Sequence, residues 1–285
     1  MAFMPSQDRA RNTAAAEEFV GPLEMSTGLR WQATIAESYA AAIEGLCAGQ
    51  VDVAWLEPLA FVLAEQRQCA TGILTALRKD ESGRPNRTFN SQIIVRADSG
   101  IADLKGLKGK RFAFVDPLST SGTLFPLLTI KQKLGEDPKT FFSQTVYMGT
   151  HQASILALYQ GQVDGAASFI DARDVLERTF PDIKQRTKRI ETVGPIPNEA
   201  VAVRNGLPED VRGQLTKGLI EHARSAEGRK ALASLYGIEG LELSDGRLYD
   251  GVREAASVAG VDLEREARRT PRPLDSPRAA PTRSP

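Results

Sequence analysis

Residues 39–54 read Tyr39-Ala-Ala-Ala-Ile43-Glu-Gly-Leu46-Cys-Ala-Gly49-Gln50-Val51-Asp52-Val-Ala54, and residues 151–166 read His151-Gln-Ala-Ser-Ile155-Leu-Ala-Leu158-Tyr-Gln-Gly161-Gln162-Val163-Asp164-Gly-Ala166. The offset is 112 residues throughout, and Ile, Leu, Gly, Gln, Val, Asp and Ala recur at matching places. Each copy reads as a short amphipathic helix, a glycine stop and a buried strand. Two copies of one α/β unit predict two similar lobes, each presenting a helix N-terminus, headed by Tyr39 in one and His151 in the other. Such N-termini favour anions, because unpaired N–H groups and a partial positive charge point outward.

Around this repeat, strands and helices alternate. Strands are predicted at 29–35, 51–55, 72–77, 91–96, 111–115, 145–148, 190–193 and 200–204. Helices are predicted at 11–25 (interrupted at Gly21-Pro22), 58–68, 124–134, 171–180, 209–226 and 244–260, with a polar loop over 79–87. The alternation indicates an α/β fold with largely parallel sheets. The strands at 91–96 and 200–204 enclose the middle of the chain and are the candidates for two crossing segments. Lobe 1 is then residues 1–90 plus 205–263, and lobe 2 is residues 97–198 with a closing cleft between them.

Composition narrows the function classes. The 285 residues carry equal numbers of acidic and basic side chains, so no broad footprint for nucleic acid exists. Residues 264–285 hold six arginines against three acidic residues, and five of the sixteen prolines, with Leu274 their one large apolar residue. That tail is expected to be disordered. No apolar run reaches the roughly 18 residues of a membrane span. No signal-peptide pattern follows Met1. The protein is therefore expected either to stay in the cytoplasm or to have the start of its precursor outside this chain. Cys47 and Cys69 sit in apolar contexts without metal spacing, and buried free thiols are the expectation.

The strongest chemical signal is Asp116-Pro-Leu-Ser119-Thr120-Ser121-Gly122, between the apolar strand ending at Val115 and a helix. One hydroxyl suffices for an N-cap. Three in a row can hold an oxyanion with neutral donors, which also permits release. No Gly-Lys-Ser/Thr follows, so this is not a phosphate loop of the nucleotide-binding type. His151 and Tyr39 can both hydrogen-bond an anion from the heads of their helices, whereas His222 lies in a charged helix and reads as structural. Gly-x-Ser-x-Gly is absent, and no metal cluster is visible. The pattern favours binding over turnover, with no cofactor.

Taken together these residues resemble the phosphate/phosphite/phosphonate-binding proteins of ABC importers, a branch of the type II periplasmic binding proteins. The resemblance covers roughly residues 2–260. It is carried by Met4-Pro5-Ser6, Tyr39 with Gly49-Gln50-Val51-Asp52-Val-Ala-Trp55, the Ser119-Thr120-Ser121-Gly122 run, and Gly149-Thr-His151 with Gly161-Gln-Val-Asp164. It implies a two-lobed fold hinged by two crossing strands. It implies a small phosphorus oxyanion held by Tyr39, Ser119, Thr120, Ser121 and His151. It also implies an acidic group after the second lobe, carried to Glu199, that contacts an amine or shares a proton with the ligand. An extracytoplasmic or periplasmic monomer that delivers to an ABC permease in the membrane follows from the same resemblance. Two positions depart from the pattern. Phe89 stands where the family often has Tyr, and Glu57-Pro58 where it often has Gly-Pro; a carboxylate there repels a dianion unless it faces away or meets an amine. A small-acid-processing enzyme on the same fold and a non-exported ligand sensor remain open alternatives.

Overall fold

Residues 1–6, 9–80, 82–170 and 172–259 are described in a computed structural model. The chain opens with β1 (Ala2–Phe3), α1 (Arg9–Val20), α2 (Leu23–Thr27), β2 (Thr34–Ile35), α3 (Tyr39–Cys47), β3 (Val53–Leu56), α4 (Pro58–Gln66) and β4 (Ala70–Lys79). A short β5 (Pro85–Asn86) precedes β6 (Thr88–Arg96). The middle of the chain gives β7 (Arg111–Phe114), a π-helical turn (Thr120–Leu124), α5 (Phe125–Leu134), α6 (Pro138–Phe141), β8 (Gln144–Tyr147), α7 (His151–Tyr159) and β9 (Gly165–Phe169). Two single turns, α8 (Asp174–Glu177) and α9 (Ile183–Arg186), lead to β10 (Thr187–Pro197). The last part is β11 (Ala200–Arg204), α10 (Glu209–Arg224), α11 (Ala226–Tyr236), β12 (Ile238–Leu243) and α12 (Asp250–Ala259).

Among the described residues the strands form two sheets. One has seven strands, in the order β12-β4-β11-β3-β1-β2 with β5 paired to β4, and the other has five, in the order β10-β6-β9-β7-β8. Each sheet is covered on both faces by apolar clusters, as a mixed sheet between helices requires. The two segments expected as crossings, 91–96 and 200–204, lie inside β6 and β11, one in each sheet. The chain passes between the sheets just before β6 and just after β10. Those passages are stitched together: Asn198 N donates to Arg87 O at 2.7 Å, and Asn198 Nδ2 donates to Asn86 O at 2.7 Å and Ala76 O at 3.0 Å.

The duplicated segment folds the same way twice. Ser38 and Thr150, both extended, cap α3 and α7 by accepting from Ala41 N and Ala153 N at 3.1 Å. Gly49 and Gly161 take φ of +70° and +76°, a left-handed geometry that a β-carbon resists, and so end the helices. Asp52 pairs with Arg204 and Asp164 with Arg111, so each copy ties its loop to a neighbouring strand.

Several expectations are corrected. Cys47 and Cys69 form a disulfide, with Cα atoms 4.6 Å apart, because the end of α3 and the approach to β4 meet on one edge. The helix expected over 171–180 is only the turn α8; Asp171 itself lies outside the described residues. The expected helix 209–226 breaks at Ser225, whose extended backbone ends α10 and whose hydroxyl caps α11 by accepting from Gly228 N at 2.9 Å. Strand β12 lies where no element was expected, pairing antiparallel with β4. The expected disordered tail, 264–285, lies outside the described residues.

Candidate functional site

The hydroxyl run is built by backbone constraints before it does any chemistry. Ser119 is the N-cap of the π-helical turn, its Oγ accepting from Gly122 N at 3.1 Å. Gly122 is obligatory: a β-carbon there would lie 2.4 Å from the Val115 side chain. Thr123 Oγ1 donates to Asp116 O at 2.7 Å, and Asp116 accepts from Leu118 N at 2.8 Å. Ser91 Oγ, from β6, donates to Ser121 O at 2.6 Å and Ser168 O at 3.1 Å. Every residue of the turn is buried. π-turns of this kind recur at functional sites, because they aim side chains off the regular helical rows.

The three hydroxyls then do different things. Ser119 Oγ is engaged as the cap. Thr120 Oγ1 accepts from Leu59 N at 2.8 Å, reaching across from the five-stranded side to the first turn of α4. That helix has no side-chain cap of its own, so its orphan donor is satisfied from the opposite sheet. Ser121 Oγ is buried with no hydrogen-bond partner. It lines a residual cavity of about 10 Å³ between the two sheets, together with His151, Glu199, Glu57 and Ser6. Arg78, Phe89 and Phe169 complete the wall. Of the six candidate residues, Ser121, His151 and Glu199 meet at this cavity. Tyr39, Ser119 and Thr120 do not line it and sit one layer behind.

His151 stands at the head of α7, almost wholly buried. Its Nδ1 accepts from Phe169 N at 3.3 Å, and its ring packs edge-on against Phe169 at 4.8 Å. With Nδ1 used as an acceptor, the ring proton resides on Nε2, which is left as a donor. Burial, reinforced by the Arg78 charge, pushes the imidazole down to about 3, so it stays neutral across the physiological range. The His151 amide also donates to Ser6 O at 3.2 Å, a second tie between the two sheets. Tyr39, at the head of α3, is fully buried, and its Oη has no partner in hydrogen-bond geometry. Burial raises its phenol well above the usual value, and Glu57 and Asp116 push the same way; the nearby Ser119 hydroxyl pulls weakly against them.

The sequence reading expected uncharged donors alone, and here the structure differs. Arg78, at the end of β4, enters the cavity and forks onto Glu199: Nε–H donates to Oε2 at 3.2 Å and Nη2 to Oε1. Its Nη1 donates to Tyr236 O. The guanidinium lies 5.7 Å from the Phe89 ring centre and 6.0 Å from that of Phe169. Nothing in the sequence marks Arg78, because Arg78-Lys79-Asp80 reads as a strand running out into solvent. Phe169 is likewise missed, since an aromatic at a strand end reads as core. Glu57 faces inward, is buried, and is pushed up to about 8, first by burial and then by Glu199, with Arg78 pulling it down. His222 is buried against Phe19, ring centres 4.9 Å apart, and is part of the packing.

A wider groove of about 930 Å³ runs past Trp31, Arg204 and Val211. None of the candidate donors lines it, and volume without converging polar groups is a weak mark of a site.

Comparison with known proteins identifies the family of the chain. Residues 1–249 match the family model described as the phosphonate periplasmic substrate-binding protein of ABC transporters. The phosphate-import protein PhnD of Mycolicibacterium smegmatis is 28% identical over 280 residues, covering 92% of this chain and 86% of that protein. The phosphonates-binding periplasmic protein of Escherichia coli is 29% identical over 221 residues, covering 76% of this chain and 64% of that protein. A crystal structure of a binding protein component of an ABC phosphonate transporter from Pseudomonas aeruginosa superposes with a TM-score of 0.80 at 26% identity, covering 91% of this chain and 86% of that one. The chain belongs to the phosphonate-binding family of periplasmic substrate-binding proteins of ABC transporters, with its two-lobed type II fold.

Proposed function

We propose that this chain is the solute-binding component of an ABC importer and closes on a small phosphorus oxyanion: phosphonate, phosphite or phosphate. The lobes are the seven-stranded sheet with its helices and the five-stranded sheet with its helices, moving about the passages near Arg87 and Asn198. The observation that carries this reading is a buried hydroxyl without a partner, Ser121 Oγ, lining one cavity with a neutral imidazole that presents Nε2–H. Buried polar groups are normally paired, so an orphan donor facing a cavity calls for an acceptor there. A tetrahedral oxyanion supplies several. Tyr39, Ser119 and Thr120 are the further donors of this reading, and the ties from Thr120 to Leu59 N and from His151 N to Ser6 O hold the lobes shut.

Neutral donors suit a carrier. Charge-assisted hydrogen bonds of about 1.5–3 kcal/mol each, four or five of them less the cost of closure, are compatible with micromolar binding at about −8 kcal/mol. Turnover is not part of this reading, because the family consists of substrate-binding proteins of transporters. Export is part of it, since the Cys47–Cys69 disulfide belongs to an oxidising compartment such as the periplasm. Titration calorimetry with phosphate, phosphite and methylphosphonate tests the proposal. Binding of at least one, weakened tenfold or more by His151→Ala in a folded protein, is expected; no binding of any would refute it.

A further inference from the structure

The ion pair inside the cavity carries a statement about which phosphorus compounds the cleft takes. Glu199 is the one carboxylate placed by the family resemblance to meet a ligand amine, yet both of its oxygens already accept from Arg78. The side chains of this pair are 16% and 4% exposed, so the pairing is inside the protein and not a solvent-screened contact. Arg78 is fixed from three further sides: Phe89 and Phe169 flank its guanidinium, and Tyr236 O accepts from Nη1. The other inward carboxyl, Glu57, is pushed up first by its burial and then by Glu199, which favours its neutral form. A ligand ammonium would therefore meet a buried cation and a Glu199 carboxylate already paired with it.

We propose that Arg78 is a specificity-determining residue whose guanidinium satisfies Glu199 internally, so that the cleft selects amine-free phosphorus oxyanions and rejects aminoalkylphosphonates. The proposal rests on the oxyanion-binding reading above and names the ligand class within it. Specificity here comes from an installed repulsion as much as from attraction, the usual means of separating ligands of equal size.

Ethylphosphonate and aminomethylphosphonate form the matched test, since they differ by a terminal methyl against an ammonium. Calorimetry on the full chain is expected to give at least tenfold tighter binding of ethylphosphonate. Arg78→Gln is expected to shrink that ratio to threefold or less. If Arg78→Gln fails to fold, Glu199→Gln serves in its place: it leaves the guanidinium unpaired and should widen the ratio at least threefold. Equal or stronger binding of the amine compound by the unaltered protein, or a ratio that neither substitution moves, overturns the inference. Binding of phosphate with both two-heavy-atom substituents excluded also overturns it, because size and not charge then sets the choice. Failure to bind any phosphorus oxyanion is a different result; it removes the functional reading itself, and this inference with it.

Discussion

Replacing Ser121 by Ala removes one oxygen from the centre of the site and separates a binding role from a structural one. The Ser121 hydroxyl is 1% exposed as a residue and makes no hydrogen bond within the protein. Its backbone carbonyl, by contrast, is held by Ser91 Oγ at 2.6 Å and is untouched by the substitution. A buried hydroxyl without a partner costs about 1–3 kcal/mol, so deleting it should leave the unliganded protein as stable as before or more so. In the complex the same hydroxyl donates to a charged oxygen, a bond of about 1.5–3 kcal/mol, which converts to roughly a 10- to 150-fold loss of affinity. Urea unfolding without ligand and calorimetry with methylphosphonate measure the two effects on one preparation. Opposite signs are the expected outcome. A Ser121→Ala protein that is destabilised by more than about 1 kcal/mol while binding ligand with unchanged affinity would refute the reasoning, since the hydroxyl would then be serving the fold.

Other perturbations follow from the same geometry. Thr120→Val keeps the shape but strips Leu59 N of its acceptor across the cleft, so ligand affinity should fall roughly tenfold, and Thr120→Ser should restore it; equal affinities for all three proteins would show that this contact does not hold closure. Glu57 is held at about 8 against an ordinary 4.5, so the folded state keeps a proton the unfolded state has lost, and stability declines as pH rises through that window. His151, held at about 3, acts with the opposite sign and only below its ordinary 6.5, and Asp116, at about 6, has nearly finished titrating by then. Between about pH 6.5 and 8 the decline due to Glu57 is on the order of 1–2 kcal/mol; unfolding curves for Glu57→Gln should lack it, and an identical slope in both proteins would contradict the assignment. Reducing the Cys47–Cys69 bond, which closes a separation of 22 residues, should lower stability by about 3 kcal/mol on the loop-entropy account. Two thiols that alkylate in the native protein, prepared under oxidising conditions without reductant, would deny that the bond forms.

The parts of this molecule legible in the sequence are those where local chemistry and tertiary structure want the same thing. Gly49 and Gly161 stop their helices because the turn demands positive φ, and Ser38 and Thr150 cap them, so the duplicated unit is visible without coordinates. The hydroxyl run is visible for the same reason: a capped turn after a buried strand has a local signature. The remainder depends on which distant segments meet. Cys47 and Cys69 become partners only because α3 ends beside the approach to β4, and spacing cannot say so. Arg78 reads as a solvated strand end until β10 and β11 bring Glu199 over it. The edge strand β12 follows a helix that ends at Gly237, and its pairing with β4 comes from a segment more than a hundred residues earlier. The break at Ser225 is hidden because both flanking segments have helical composition, and one residue turning extended decides it.

The central claim is spatial: one tetrahedral anion lies between the two sheets, touching the head of α7 and the turn after β7. A crystal structure of the protein with methylphosphonate is the most direct measurement. The account predicts the phosphonate oxygens within hydrogen-bond distance of Ser121 Oγ, Tyr39 Oη and His151 Nε2, with Arg78 still forked onto Glu199. A phosphonate seated elsewhere, in the groove beside Trp31 for example, with Ser121 and Tyr39 still without partners, would contradict it.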